Sequence, residues 1–330
     1  MKKLYIAMMA ALTFLSCAEK EEPVTSLPSD IPERDEEICI KVMSSNLRHK
    51  KTDEGVDRWE ARKFAWISML SDNQPDIAGL QEVTTTGQYE DLLVFSEYER
   101  YKIMPGDYTG APTEVTERNG QYDGSVMLMW KKSRFDKVAT GHFWLGEKSD
   151  EPHDYPFGAT DQHCRACVWA KLAHRASGKI VYVFNTHFPF DPDDNPSDFD
   201  EYGNKIYNIE PRYQASREIV RIMREVAQEE DAAVFVTGDL NCSLEDGSNR
   251  QGYRSLSPLT EYMWSARHNA AWYDGKISFN GFSNKERSES SNIDHIFYRG
   301  AVAGDFITVT KDYGVPFVSD HYPVTCTFTF

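Results

Sequence analysis

The chain has 330 residues, 40% of them hydrophobic and 13% aromatic, which is ample material for one large α/β or two-sheet core. Its 36 basic and 52 acidic residues give a formal net charge of -16. That excludes tight nonspecific binding to long polyanions, because there is no surplus of Lys and Arg to displace phosphate counterions. A small phosphorylated substrate, or a nucleic acid held through a bound cation, stays compatible with it.

Met1-Lys2-Lys3 and the apolar run Leu4 to Leu15 have the basic start and short hydrophobic core of a secretion signal, too short to span a bilayer comfortably. The run ends in Phe14-Leu15-Ser16-Cys17, which resembles a lipobox. Residues 1–16 are therefore expected to be a lipoprotein signal peptide, with Cys17 the lipidated first residue of the mature chain. Lys20-Glu21-Glu22 looks like the short acidic tag of surface lipoproteins in some Gram-negative bacteria. Residues 17–37, rich in Pro, Ser and acid, read as a flexible tether. The expectation is a monomeric outer-membrane lipoprotein of the cell envelope, exposed at the surface, held to the membrane through Cys17. Five cysteines then remain. Cys164 and Cys167 form a lone CxxC beside His163 that could be a zinc half-site, a redox pair or plain packing.

Ile38 to Ser45 alternates as a strand does and ends at Asn46. Asp57 to Leu70 has helical periodicity, with Ala61, Phe64, Ile67 and Leu70 on one stripe, and Pro75 stops it. Asp76 to Leu80 is a second strand that runs into Gln81-Glu82-Val83. Two antiparallel pairs are expected next: Ser125–Trp130 with Phe135–Leu145 across a basic turn, and Val168–Ala173 with Ile180–Phe184 across Ser177-Gly178. The last of these ends in Asn185-Thr186-His187. Pro189 to Pro211 is an acidic insertion that lacks the Gly and terminal Glu of an EF-hand, so it reads as a solvated loop. Arg212 to Gln228 is a periodic helix with Ile219, Ile222, Met223 and Val226 inward. It feeds the apolar strand Val234–Thr237, which breaks into Gly238-Asp239-Leu240-Asn241. A later strand, Asn292–Tyr298, carries Asp294, which is too costly to bury without a partner. His295 faces the other way as a packing residue. Val318-Ser319-Asp320-His321 precedes a final strand to Phe330.

Asn46, Glu82, His187, Asp239, Asn241, Asp294, Asp320 and His321 thus all lie at strand ends, and they can converge only if the strands lie side by side. Carboxylates and amides without thiolates suit Mg²⁺ or Mn²⁺ better than zinc. Two imidazoles and a spare carboxylate suit acid–base work and stabilisation of phosphoryl charge. Together they describe metal-assisted hydrolysis of a phosphate ester.

The same motifs resemble the endonuclease/exonuclease/phosphatase superfamily, the DNase I-like group. They are Ser45-Asn46, Leu80-Gln81-Glu82-Val83, Asn185-Thr186-His187, Thr237-Gly238-Asp239-Leu240-Asn241, Ile293-Asp294 and Ser319-Asp320-His321. Asp57-Arg58-Trp59 and Arg165 to Leu172 resemble a bacterial lipoprotein branch of it. The resemblance implies an α/β (α+β) fold: a four-layer, two-sheet sandwich flanked by helices, over residues 38–330. It implies Glu82 as principal ligand of Mg²⁺ (or Mn²⁺), with Asn46 and Asp320 assisting. His187 would donate to a phosphate oxygen. Asp239 and Asn241 would orient the attacking water, and Asp294 would hold the tautomer of His321. The general base, Asp239 or His321, stays open, as do diester against monoester and the phosphorylated substrate (lipid headgroup, sugar phosphate or nucleic acid). The alternatives to a phosphoesterase that works by direct attack of water are a nuclease of the same family and a non-catalytic surface module that binds a phosphorylated ligand.

Overall fold

In the computed structural model the described residues are 38–48, 53–83, 87–103, 125–153, 156–159, 164–190, 210–245 and 252–330. The expected signal peptide, tether, Cys17, His163 and most of the acidic insertion lie outside them. All described residues belong to one compact unit, Glu37–Phe330.

Two βαβ units organise it, one in each of two sheets. In the first, β1 (Cys39–Asn46), helix α1 (Trp59–Asn73) and β2 (Ile77–Gln81) give a parallel pair in which Asn46 stands opposite Gln81. In the second, β7 (Ile180–His187), helix α3 (Glu210–Val226) and β8 (Ala233–Asp239) give a parallel pair with His187 opposite Asp239. A short helix α2, Gln88–Asp91, lies between β2 and β3 (Tyr98–Lys102). The other strands are β4 (Met127–Lys131), β5 (Phe135–Leu145), β6 (Arg165–His174), β9 (Trp264–Ser265), β10 (Trp272–Tyr273), β11 (Asp294–Arg299), β12 (Val302–Thr308) and β13 (Val324–Thr329). The seven-stranded sheet runs β10-β12-β13-β1-β2-β4-β3 and the six-stranded sheet β5-β6-β7-β8-β11-β9.

The sheets pack face to face, with Ile40, Val42, Ile77 and Trp130 meeting Val168, Val183, Phe235 and Ile296. Helix α3 covers the outer face of the second sheet with Ile219 and Met223 on Phe184 and Val236. Helix α1 covers the first with Trp66 and Met69 on Met43, Leu80 and Met129. This is the expected four-layer sandwich. Strands such as β2 and β8, buried on both faces, read as unbroken apolar runs for that reason. Among the described residues no helix is long and apolar enough to cross a membrane.

Two expectations need correction. The buried face of α1 is Trp59, Arg62, Ala65, Trp66, Met69 and Leu70, whereas Phe64 is 72% exposed and Ala61 faces solvent. The indole rings set the phase, and a buried arginine sits within their stripe. Strands β4 and β5 do not pair: the basic turn between them carries the chain from one sheet to the other. The Ser177-Gly178 hairpin forms as expected, with Gly178 at a φ of 71°. Of the readings open for the CxxC, plain packing is the one that fits: Cys164 packs between the sheets while Cys167 faces α3 on the opposite side of its strand. The two thiols therefore cannot join in a disulfide or share a zinc ion, and burial raises the Cys167 pKa well above its ordinary value.

At the end of the sandwich where both parallel pairs terminate, the sheets are tied by a buried polar network. Gln81 Nε2 donates to Asn185 Oδ1 (2.7 Å) and to Ser44 Oγ (3.2 Å). Asn185 Nδ2 donates to the carbonyls of Leu80 (2.8 Å) and Met127 (2.9 Å), and Thr237 Oγ1 donates to Asn185 Oδ1 (3.0 Å). Gly79 lets the sheets approach this closely. A Cβ there would sit 1.9 Å from Thr237 Oγ1 and 2.6 Å from Asn185 Oδ1. Gly79→Ala is therefore expected to destabilise the fold by about 1–3 kcal/mol, the cost of overpacking a filled core. Urea unfolding would measure it, and wild-type stability would show that the network can give way.

Candidate active site

All eight expected residues lie at this end of the sandwich. Asn46 ends β1, Glu82 follows β2, His187 and Asp239 end β7 and β8, and Asp294 opens the antiparallel β11 opposite Asp239. His321 stands just before β13, its backbone bridged to Phe279. Three residues at the strand ends adopt the left-handed backbone: Arg48 (φ 55°), Glu82 (φ 57°) and Asn241 (φ 51°). Each such conformation costs on the order of 1–2 kcal/mol outside glycine, and each turns the chain sharply away from the sheet edge. The neighbouring side chains are left projecting into the shared space.

Asp239 is the hub. Its Oδ2 accepts a hydrogen bond from Asn46 Nδ2 (2.9 Å) and lies 3.4 Å from His187 Nε2 and 3.6 Å from His321 Nε2. Its Oδ1 accepts from the Asn241 backbone N–H (3.0 Å). Asn46 Nδ2 also donates to Glu82 Oε1 (3.0 Å), linking the first sheet's two candidates to the second sheet's carboxylate. His321 Nδ1 donates to Asp294 Oδ2 (2.8 Å), the partner that Asp294 requires. Ser278 Oγ, accepting from the backbone N–H of Ile293 and Asp294 (3.1 Å each), holds that strand entrance in place. Asn241 turns its own side chain to the Phe188 carbonyl (3.0 Å), pinning the chain after His187 to the loop after Asp239. His295 points the other way, bonded to the Cys242 carbonyl and stacked on Phe297, as expected of a packing residue.

Electrostatics follow from crowding carboxylates in a dry site. Burial pushes the Asp239 carboxyl up; the His321 charge opposes this, and nearby Asp294 adds to the rise. Burial likewise raises Asp320, against the pull of His321 and Arg48. Burial disfavours charge on His321, but Asp294, Asp239 and Asp320 outweigh it and raise its pKa to about 10. His321 is thus flanked by three acids that favour its protonated form.

Two arginines outside the expected set belong to the site. Arg48 Nη1 lies 3.1 Å from Asp320 Oδ2, and the same guanidinium is braced by Asp53. Arg62 is fully buried beneath it. A basic residue in phase with the indole stripe of α1, at Trp59, Arg62, Trp66 and Met69, is a sequence signal that could have singled out Arg62. Arg48 carries no such local signal beyond standing two residues after Asn46.

The residue set fits a hard divalent cation. Glu82, Asp320 and the Asn46 amide oxygen are oxygen donors, and the acids around them are under mutual strain that a cation would relieve. Asn46 Oδ1 accepts the Arg48 N–H (2.8 Å) and keeps a second lone pair. Among the described acids, histidines and cysteines, ligand atoms lie within 4.8 Å of one another at Asp239, Asp294 and His321. The 2.8 Å bond inside that trio makes it a hydrogen-bonded acid–imidazole pair set against a second acid.

Comparison with known proteins bears on the fold and the family. No curated protein matches the chain. Several solved structures share its fold. An endonuclease/exonuclease/phosphatase protein of Bacteroides vulgatus aligns with a TM-score of 0.69 at 24% identity, covering 88% of this chain and 98% of that one. A mannosyl-6-phosphatase of Bacteroides thetaiotaomicron aligns at 0.68 and 21%, covering 88% and 100%. Truncated TDP2 of Caenorhabditis elegans aligns at 0.58 and 19%, covering 88% and 98%. The model of the Endonuclease/Exonuclease/phosphatase family matches residues 43–321, from within β1 to His321. The chain belongs to that family of phosphate-ester hydrolases.

Proposed function

We propose that this protein is a Mg²⁺- or Mn²⁺-dependent phosphoesterase of the cell envelope, tethered through a lipidated Cys17, that hydrolyses a small phosphorylated substrate by direct attack of water. The observation that carries the reading is the buried line Asp294–His321–Asp239 abutting the Asn46–Glu82 pair.

The acids around His321 favour its protonated form, which points to Asp239 as the group that accepts the proton of the attacking water. A carboxyl raised by burial is a better base than an ordinary one. Asp294 keeps the His321 Nδ1 proton facing inward, so that Nε2 points at Asp239. His187, 3.4 Å from Asp239, is placed to donate to a non-bridging phosphate oxygen. Asn241 fixes the Asp239 carboxylate through its backbone N–H and so sets the direction of attack. Asn46, Glu82 and Asp320 would hold the cation, which supplies charge neutralisation on the phosphoryl group when bound. The water oxygen forms the new P–O bond as the ester P–O bond breaks on the far side.

A net charge of -16 favours a sugar phosphate or lipid headgroup over a long nucleic acid. The fold shared with a sugar phosphatase is compatible with that choice. The soluble domain, residues 38–330, is expected to cleave an aryl phosphomonoester or phosphodiester with Mg²⁺ or Mn²⁺ and to stop with chelator. A folded domain that cleaves neither would overturn the reading.

A further inference from the structure

The fully buried guanidinium of Arg62 makes no hydrogen bond to a carboxylate among those found in the structure. Its acceptors are all backbone carbonyls. Nε donates to Asp57 O (2.7 Å), Nη1 to Leu47 O (2.9 Å) and Val318 O (2.6 Å), and Nη2 to Arg48 O (2.8 Å). Two of these carbonyls directly follow Asn46, and a third lies two residues before Asp320. Val318 is 256 residues from Arg62 in sequence, yet its loop and the loop after Asn46 meet on one cation. Trp59 and Phe282 close over the guanidinium at 5.6 Å and 5.3 Å. Phe282 belongs to the loop whose Asn280 binds the Ser319 carbonyl through Nδ2 (3.1 Å) and the Asp320 carbonyl through its backbone N–H.

We propose that Arg62 is a positioning residue of the active site. Its planar fork clamps the loop after Asn46 to the loop carrying Asp320 and His321 and so sets the spacing between the two halves of the catalytic constellation. Arginine suits the task because it presents five N–H donors in one rigid plane. Lysine is a single point with three donors and cannot span the four carbonyls in that geometry. Arg62 also dictates where Arg48 stands: the Arg48 carbonyl is held from below while its side chain reaches Asp320. This inference rests on the phosphoesterase reading for its kinetic consequence but not for its structural one.

The test is Arg62→Lys in the 38–330 domain, read by thermal unfolding, by kcat and KM on an aryl phosphate, and by NMR of the Asn46 side-chain amide and the His321 imidazole. The expected result is a folded protein whose kcat falls roughly 10²-fold, the cost of misplacing reacting groups by about an ångström. KM should stay within about threefold, since the spacing acts on the reacting groups and not on substrate binding. The Asn46 and His321 signals should shift, while Asn73 at the far end of α1 does not. A folded Arg62→Lys protein with wild-type kcat and unshifted signals would overturn the proposal, as would a kcat loss that only tracks the unfolded fraction. If Arg62→Lys does not fold, Phe282→Leu loosens the ring over the guanidinium without removing the cation. It should lower kcat and move the same signals, and unchanged behaviour there overturns the clamp. If wild type cleaves nothing, the phosphoesterase reading has failed on its own account, and the NMR shifts alone decide the clamp.

Discussion

Glu82→Gln is expected to lower kcat on the order of 10³-fold, about 4 kcal/mol of transition-state stabilisation, while leaving the fold as stable as wild type or more so. Glutamine has the same shape, tolerates the same half-buried position and can still accept from Asn46 Nδ2 through its amide oxygen. What it removes is one negative charge from a site where Glu82 raises the pKa of Asp320 by repulsion. Losing that charge relieves the acids and weakens any site for a divalent cation. Activity and stability should therefore move in opposite directions, the pattern of a functional residue and not a structural one. Steady-state kinetics with Mg²⁺ titrated, beside a melting curve, would check both halves; an active Glu82→Gln protein would sink the assignment.

Asp294→Asn should cost roughly 10³–10⁴-fold in kcat at neutral pH, in line with loss of the orienting carboxylate in other histidine-dependent hydrolases. The amide is no longer a charged acceptor for the Nδ1 proton of His321, so the ring loses both its anchor and the nearest charge that favours its protonated form, and Nε2 is no longer held toward Asp239. The variant also carries a pH prediction. His321 in the folded protein titrates near 10 because Asp294, Asp239 and Asp320 outweigh the cost of its burial. Its unfolded value is about 6.5. Stability from this group is therefore fully present below pH 6.5 and is lost as pH rises toward 10. Asp239, whose carboxyl is raised by burial, acts with the same sign, since a raised acid also favours the folded state at lower pH. Melting temperatures of the metal-free wild type should decline between pH 6.5 and 10. In Asp294→Asn that decline should be shallower, because the first of the three acids is gone. An equal slope in both proteins would mean that Asp294 does not hold the imidazolium.

Local patterns carry much of this molecule. A buried strand flanked on both faces must be apolar throughout, so β2, β7 and β8 announce themselves, and each breaks into a polar residue at the end of the sheet where the site is built. That is why Asn46, Glu82, His187, Asp239 and Asp294 can be picked out as strand-end residues and assembled before any coordinates exist. Asp294 could even be assigned a partner, because an unpaired carboxylate in an apolar run is too costly to bury.

Other features lay beyond local pattern. Strand β12 alternates unevenly around a bulge between Ala303 and Phe306, and β3 is half-exposed along three of its five residues, so neither shows a clean period. A turn such as Lys131 to Arg134 has the same local chemistry whether the next strand pairs with the last or crosses to another sheet. The phase of α1 depends on which side chains the neighbouring sheet can accommodate, and that sheet is assembled from residues far along the chain.

Composition and periodicity thus determined the layer types, the strand ends and the chemical character of the site, because these depend on neighbours in sequence and on burial against water. The tertiary structure alone decided which arginine is swallowed by the core. It also decided that three acids surround His321 and that two loops at opposite ends of the chain share a single guanidinium. Those outcomes depend on distances between segments, and charge, desolvation and hydrogen bonding act through space and not along the chain.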